Sequence, residues 1–538
     1  STIARNLKLR TIVICPPHLY KQWGDYRDEF GFTASVYSSG KIEEALLHFE
    51  ELKKDDEQFL IIVDEAHRFR NEYTQDYALL HNLCSGNKVL LLTATPFNNQ
   101  PADIYSLVKL FQIPTRSTLK TVENLGASFK DLIDNYRDLR EAQRKGVASE
   151  EDVKTEVAHI SKNIRSIINP LVVRRSRLDL QEIDDYAADL VQQDIQLVIP
   201  NDPEELTYDL SELKDLYLST LDRISKSENS DDDTYRFKAA RYSPVLYVHE
   251  DMKDKLAKEL EEKTGIKFNL LIGRQANVAS FMRHLLVVRF ESSVAAFQSS
   301  LGYMINSCEH ILKWVDKRRK IPIYKKGNLP DVSDFYEDSD DGWEEIEEAF
   351  EKYEAKGFFE IDMKYVKEEF VTDVELDLQL LKSLREQWFG KDNKIQFDPK
   401  LDSFIDIVRD KMETDPKRKL IVFSEYADTA NYLGEALKSA GLPVMKYTSA
   451  DASQTNKDSI TANFDAGLKP ELQKNDYHIL VATDAISEGY NLHRAGAIFN
   501  YDIPYNPTRV IQRIGRINRI NKKVFDELYI YNNFTTDV

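Results

Sequence analysis

The sequence predicts an α/β protein with two parallel-sheet lobes and a large, mostly helical insertion between them. Short apolar runs rich in β-branched residues alternate with helical stretches over residues 1–115, and the same rhythm returns over 395–538. Between them, over about 116–394, the chain is charge-rich and helical in pattern, as in Leu132–Lys145 and Asp251–Lys263. Apolar runs separated by helical segments read as parallel strands covered on both faces. A chain of 538 residues also exceeds what one core supports. The expected domains are a first lobe with a helical extension (1–180), a helical insertion (181–394) and a second lobe (395–538).

In order, the strand candidates of the first lobe are Thr11–Cys15, Phe59–Val63 and Lys88–Leu92. Those of the second are Leu420–Ser424, Val444–Thr448, His478–Ala482, Ala497–Asp502 and Glu527–Tyr531. In open parallel sheets the chemistry gathers at the carboxyl ends of the strands. Asp64, Glu65, Thr93, Thr95, Asp484 and Asp502 all fall there. The segment 331–360 is strongly acidic with interleaved aromatics. It reads either as a solvated helical face or loop, or as a nucleic-acid mimic guarding a basic groove.

Composition narrows the class. Hydrophobic residues make up 42% of the chain, and no run of about 18 apolar residues occurs. No membrane span or secretion leader is expected. The three cysteines are far apart without CxxC spacing, which fits buried thiols in a reducing cytoplasm and opposes a zinc site or disulfide framework. The net charge of −19 is not the usual footprint of a nucleic-acid binder. A local basic groove is nevertheless compatible with an acidic average.

Five segments carry chemistry. In FLIIVDEAHRFRN, Phe59–Asn71, an apolar strand delivers Asp64 and Glu65 to the sheet edge. Asp64 suits Mg²⁺ held through water, because that ion prefers few carboxylates plus substrate phosphates. Glu65 suits a base that polarises water. In LLLTATPFN the hydroxyls of Thr93 and Thr95 can bond the acidic pair and nucleic acid together; an ordinary strand-to-turn exit is the alternative. In ICPPHLYKQW, Pro16 and Pro17 fix a loop, while His18, Lys21 and Trp23 offer phosphate contact and stacking; core packing is the alternative for Trp23. In LVATDAISEGYN, residues Asp484, Ser487, Glu488, Gly489 and Asn491 can contact ribose, phosphate or the opposite lobe, and an ordinary helix cap is the alternative. In QRIGRINR, Arg513, Arg516 and Arg519 recur at three-residue spacing and so lie near one face of a helix. Arginine's fork matches phosphate oxygens.

Taken together and in this order, these segments resemble the motifs of a superfamily-two helicase-like ATPase, most similar to the Snf-type DEAH branch of bacterial DNA translocases. ICPPHLYKQW resembles motif Ia, VDEAH motif II, LTATPFNN motif III, IVFSEY motif IV, TDAISEGYNL motif V and QRIGRINR motif VI. PLVVRRSRLDL and RFESSVAAF are similar to further family segments. The resemblance implies two RecA-like lobes using ATP and Mg²⁺. Asp64 would be the metal ligand and Glu65 the catalytic base. His67 would couple hydrolysis to motion, and Thr93 and Thr95 would relay between sites. Gln512 would sense nucleotide, and Arg516 and Arg519 would be arginine fingers. Pro17, Ser424 and Gly489 would lie along the nucleic-acid track, with Lys21, Asp484 and Asn491 as further contacts. The implied partner is nucleic acid, double-stranded DNA in this branch.

The family's phosphate loop, GxxxxGK[ST], does not occur in these 538 residues. Its glycine amides and lysine normally hold the β- and γ-phosphates. STIARNLKLR resembles the helix that follows that loop, so a chain starting just after it is expected to bind ATP weakly or not at all. Two rivals stay open: a catalytically inactive scaffold built on a motor fold, and the motor subunit of a restriction or defence complex. All of this depends on the acid pair and the arginine cluster facing each other across one crevice.

Overall fold

The computed structural model describes residues 2–54, 57–93, 100–122, 124–144, 150–174, 176–193, 195–225, 235–264, 267–324, 358–486, 490–504, 506–518 and 524–535. The chain divides into two compact units, Ser1–Gln192 and Gln193–Val538. The first therefore extends past residue 180 to take in the helices Arg177–Glu182 and Asp184–Gln192.

In the first unit, strands β1 (Arg10–Cys15), β2 (Ala34–Ser38), β3 (Phe59–Val63) and β4 (Lys88–Leu91) form a parallel sheet in the order β2-β1-β3-β4. Alternation along each strand feeds two cores. Ile12, Ile14, Phe59, Ile61 and Val63 face one, and Val13, Cys15, Leu60 and Ile62 the other. Side chains alternate between faces in a strand, so a sheet covered on both sides must be apolar throughout. Burying a side chain such as Ile61 contributes about 1.5–3 kcal/mol. The helices Leu125–Arg144 and Glu150–Ile168 form a separate small core around Leu125, Phe129, Ile160 and Ile164.

The second unit holds β5 (Glu204–Tyr208), an antiparallel pair β6 (Lys320–Tyr324) and β7 (Phe358–Asp362), then β8 (Lys419–Phe423), β9 (Val444–Tyr447), β10 (Ile479–Ala482), β11 (Ala495–Asn500) and β12 (Tyr529–Thr535). Its parallel sheet has the order β5-β12-β11-β8-β10-β9. Again the strands split by parity: Leu420, Val422, Ile479, Val481 and Phe499 pack on one face, and Ile421, Phe423, Leu480, Ala482 and Ile498 on the other. The two parallel sheets are the RecA-like lobes that the sequence leads one to expect.

Two strands differ from that expectation. β2 and β5 lie at sheet edges, and their sequences, ASVYS and EELTY, carry too little apolar character to read as strands. Edge strands need bury only one side. β5 also means that the second lobe's sheet recruits a segment from before residue 394.

The middle of the chain packs mainly as helices Phe268–Ser292, Val294–Arg318 and Glu369–Phe389 around a large apolar core. Within it Asp377 accepts hydrogen bonds from the backbone N–H of Lys238 and Ala240, each at 2.9 Å, and from the Tyr235 hydroxyl at 3.0 Å. Most of the acidic stretch, residues 331–357, lies outside the described residues. Glu360 at its end accepts from Trp314 and pairs with Arg318 and Lys320. Cys15, Cys84 and Cys308 are buried free thiols. Among the described residues no helix is long and apolar enough to cross a membrane.

Candidate active site

In the first unit the carboxyl ends of β1, β3 and β4 meet. The Asp64 N–H donates to Ile14 C=O at 2.8 Å, and the Ala66 N–H donates to Leu92 C=O at 2.9 Å. These bonds lock the turn that leaves β3 onto its two neighbours. Glu65 sits in that turn in the left-handed region, with φ 49° and ψ 49°. A side chain with a β-carbon pays for that conformation, on the order of 1–2 kcal/mol. Such strain concentrates where a side chain must be aimed.

Asp64 is half-buried. One carboxylate oxygen accepts from the Trp23 indole N–H at 2.8 Å and the other from the Glu65 N–H at 3.0 Å. Burial lifts its pKa above the usual aspartate value, while the Trp23 bond opposes the rise. The Glu65 carboxylate lies 3.2 Å from His67 Nδ1, which is also 3.2 Å from the Thr93 hydroxyl. Asp64, Glu65, His67 and Thr93 are thus brought together. Thr95 lies outside the described residues. Pro17 and Lys21 are both exposed, where the strand-end loop of β1 enters the helix Tyr20–Glu29.

In the second unit the strand ends of β8, β10 and β11 meet in the same way. The helix Pro507–Ile517 starts with Asn506 as cap, its side chain accepting from the Thr508 N–H at 2.9 Å, and with Pro507 in the first turn. It carries Gln512 and Arg516, both partly exposed. Arg513 departs from the expected shared arginine face, because it is fully buried. Its guanidinium grips Asp484 with two bonds, 2.6 and 2.8 Å, and donates to the Asn500 side chain at 2.9 Å. The helix ends at Ile517, and Arg519 lies beyond it, outside the described residues.

Two of the residues expected to contact nucleic acid are buried in this structure. Ser424 is 0% exposed and donates to the Asp502 carboxylate at 2.5 Å. Asp484 is 3% exposed and committed to Arg513. Neither side chain reaches solvent, so each acts inside the lobe. Asn491 is exposed, and Gly489 lies outside the described residues.

Sequence reasoning placed Asp502 at a strand end but gave it no role, and it is the centre of this network. Asp502 accepts from the Glu425 N–H at 2.7 Å and from Ser292 of the helical insertion at 2.6 Å. Ser292 and Ser293 also bond Thr429, and Arg289 bonds Asp428. Lys400 donates to the backbone carbonyls of Glu291 and Ser292. The signal available was RFESS, whose serines and arginine interrupt an otherwise core-like helix.

Glu425 pairs with Arg509 at 3.4 Å. Burial pushes Glu425 from 4.5 up to about 7, with Asp502 and Asp484 adding to the rise and Arg509 and Arg513 opposing it. A folded pKa above the unfolded one gives stability that is fully present below 4.5 and is lost as pH rises towards 7. Glu425→Gln is expected to flatten that decline. Denaturant midpoints measured between pH 4.5 and 7.5 check it, and a profile unchanged from wild type would count against it.

Residues 41–229 match the SNF2-related domain family and residues 399–521 the helicase conserved C-terminal domain family. An uncharacterized ATP-dependent helicase of Bacillus subtilis, YqhH, is 33% identical over 120 residues, 22% of this chain and 19% of that protein. The ATP-dependent RNA helicase dbp2 of Sclerotinia sclerotiorum is 30% identical over 114 residues, 21% of this chain and 18% of that protein. The chain spans about a fifth of the length of these curated relatives. Among solved structures, the Pyrococcus furiosus Hef helicase domain shares 14% identity at a TM-score of 0.41, covering 100% of this chain and 89% of that one. The Sulfolobus solfataricus SWI2/SNF2 ATPase core in complex with dsDNA shares 12% at 0.27, covering 99% and 79%. The fold rests on the two parallel sheets themselves.

Proposed function

We propose that this chain, which belongs to the superfamily-two helicase-like ATPases, is a cytoplasmic motor that hydrolyses ATP with Mg²⁺ and moves along double-stranded DNA. The observation that carries this reading is the aimed strand-end group of Asp64, Glu65, His67 and Thr93. Its donor set suits Mg²⁺, since one or two carboxylates beside substrate phosphates are what that ion takes. Among the described residues there is no cluster of three or more His, Cys, Asp or Glu that would favour a metal held by the protein alone. Asp64 would hold the ion, which supplies neutralising charge at the phosphates.

Glu65 takes the proton of the attacking water, and His67, within reach of both Glu65 and Thr93, holds the base in place. Arg516, with Arg519, is the source of positive charge for the transferred phosphoryl group in this reading, and Gln512 senses the nucleotide. Pro17, Lys21, Asn491 and Gly489 are the nucleic-acid contacts of this reading. The SNF2-related match supports translocation over strand separation in this reading.

Full-length protein tested with no nucleic acid, duplex DNA, single-stranded DNA and RNA should turn over ATP fastest with duplex DNA. RNA as the best activator would reassign the track. No Mg²⁺-dependent turnover under any condition would favour the inactive scaffold, the reading that the missing GxxxxGK[ST] motivates. For residues 1–538 alone, calorimetric titration is expected to show little or no ATP binding. Micromolar binding would contradict it.

A further inference from the structure

The Trp23 indole was open to two readings, base stacking or core packing, and its contacts fit neither alone. Its ring is partly buried against the apolar cluster that holds Val13, Cys15, Leu60 and Ile62, so it is not a freely exposed stacking platform. Its N–H is spent on Asp64 at 2.8 Å. A purely apolar anchor has no reason to place a donor there.

The helix that carries Trp23, Tyr20–Glu29, buries none of its residues fully. It follows directly on the Pro16–Pro17 loop and exposes Tyr20 and Lys21 beside that loop. Asp64 contrasts with it. Its backbone is fixed to β1 through Ile14 and one carboxylate oxygen is held by the Glu65 N–H at 3.0 Å, which leaves the other oxygen to Trp23. Trp23 joins a lightly held helix to a carboxylate on a rigid strand end.

Resting on the motor reading above, we infer that Trp23 is a positioning residue that makes the orientation of the Asp64 carboxylate depend on the nucleic-acid-facing helix. Contact of a duplex with Lys21 shifts the helix, and the indole N–H carries that shift to the group that holds Mg²⁺. Nucleic acid and metal-bound nucleotide then act on one carboxylate from two sides. A hydrogen bond to a charged acceptor is worth about 1.5–3 kcal/mol, which corresponds to roughly a tenfold or larger change in an equilibrium constant.

Full-length protein carrying 5-fluorotryptophan tests this by ¹⁹F NMR, with Trp23→Phe identifying the Trp23 signal. That signal is expected to move on adding duplex DNA without nucleotide, and again with Mg²⁺ and ADP. In the same variant the Mg²⁺ concentration for half-maximal hydrolysis should rise about tenfold. Stimulation by duplex DNA should fall, and the KM for ATP should stay near wild type. A purely structural role would lower the melting temperature and leave the Mg²⁺ dependence alone. Should Trp23→Phe fail to fold, Phe at Trp314, Trp343 and Trp388 assigns the Trp23 signal by elimination. A Trp23 signal indifferent to duplex DNA, or unchanged Mg²⁺ dependence and stimulation in a folded variant, overturns the inference and leaves the motor standing. A wild-type protein without turnover overturns both.

Discussion

Glu65→Gln in the full-length protein is expected to lower DNA-stimulated ATP hydrolysis by about 10²–10⁴-fold, the usual worth of a positioned general base. Nucleotide binding should persist. The substitution keeps the shape of the side chain and removes only its ability to take a proton. The proposed role draws on the left-handed backbone of Glu65 and on His67 at 3.2 Å, which is itself 3.2 Å from Thr93. Steady-state turnover and nucleotide titration, measured side by side, separate chemistry from binding. Turnover equal to wild type would remove Glu65 from the mechanism, and with it the motor reading built on this strand end.

Arg513→Ala should act in the opposite way, on folding before chemistry. Removing the doubly bonded partner leaves Asp484 charged at 3% exposure with the more distant Arg509, at 3.6 Å, to balance it, which costs up to about 3–5 kcal/mol. Lysine cannot restore it, because a single ammonium does not reproduce the two-pronged grip. Arg516→Ala, one turn further on and partly exposed, is expected to fold normally. Its loss should appear in turnover, by about 10³–10⁵-fold where such an arginine has been measured in other systems. Chemical denaturation of both variants checks the contrast. Equal stability of the Arg513 and Arg516 variants would show that burial does not separate the two arginines.

That contrast also marks where sequence reading stopped. By spacing alone QRIGRINR shows three alike arginines, and only the family resemblance set Arg516 and Arg519 apart from Arg513. The difference comes from Asp484 and Asn500, at the ends of two other strands, which draw Arg513 inwards. Ser424 follows the same logic. It ends a strand candidate and is placed on the nucleic-acid track by resemblance, yet Asp502, contributed from beyond another strand, claims its hydroxyl. Trp23 and Asp64 are 41 residues apart, and no local pattern announces their bond.

From sequence alone came the two parallel sheets, the central strands and the acid pair at the end of β3. Central strands of such sheets are buried on both faces, so they are written as unbroken apolar runs, and the first polar residue after each marks the chemical edge. Only the tertiary structure decided which polar residues at those edges face solvent and which are spent holding the lobe together. It also placed the edge strands β2 and β5 and tied Ser292 of the insertion to Asp502. The physical reason is range: apolar periodicity is local to a segment, whereas the pairing of a buried charge is set by whatever distant residue the fold brings within about 3 Å.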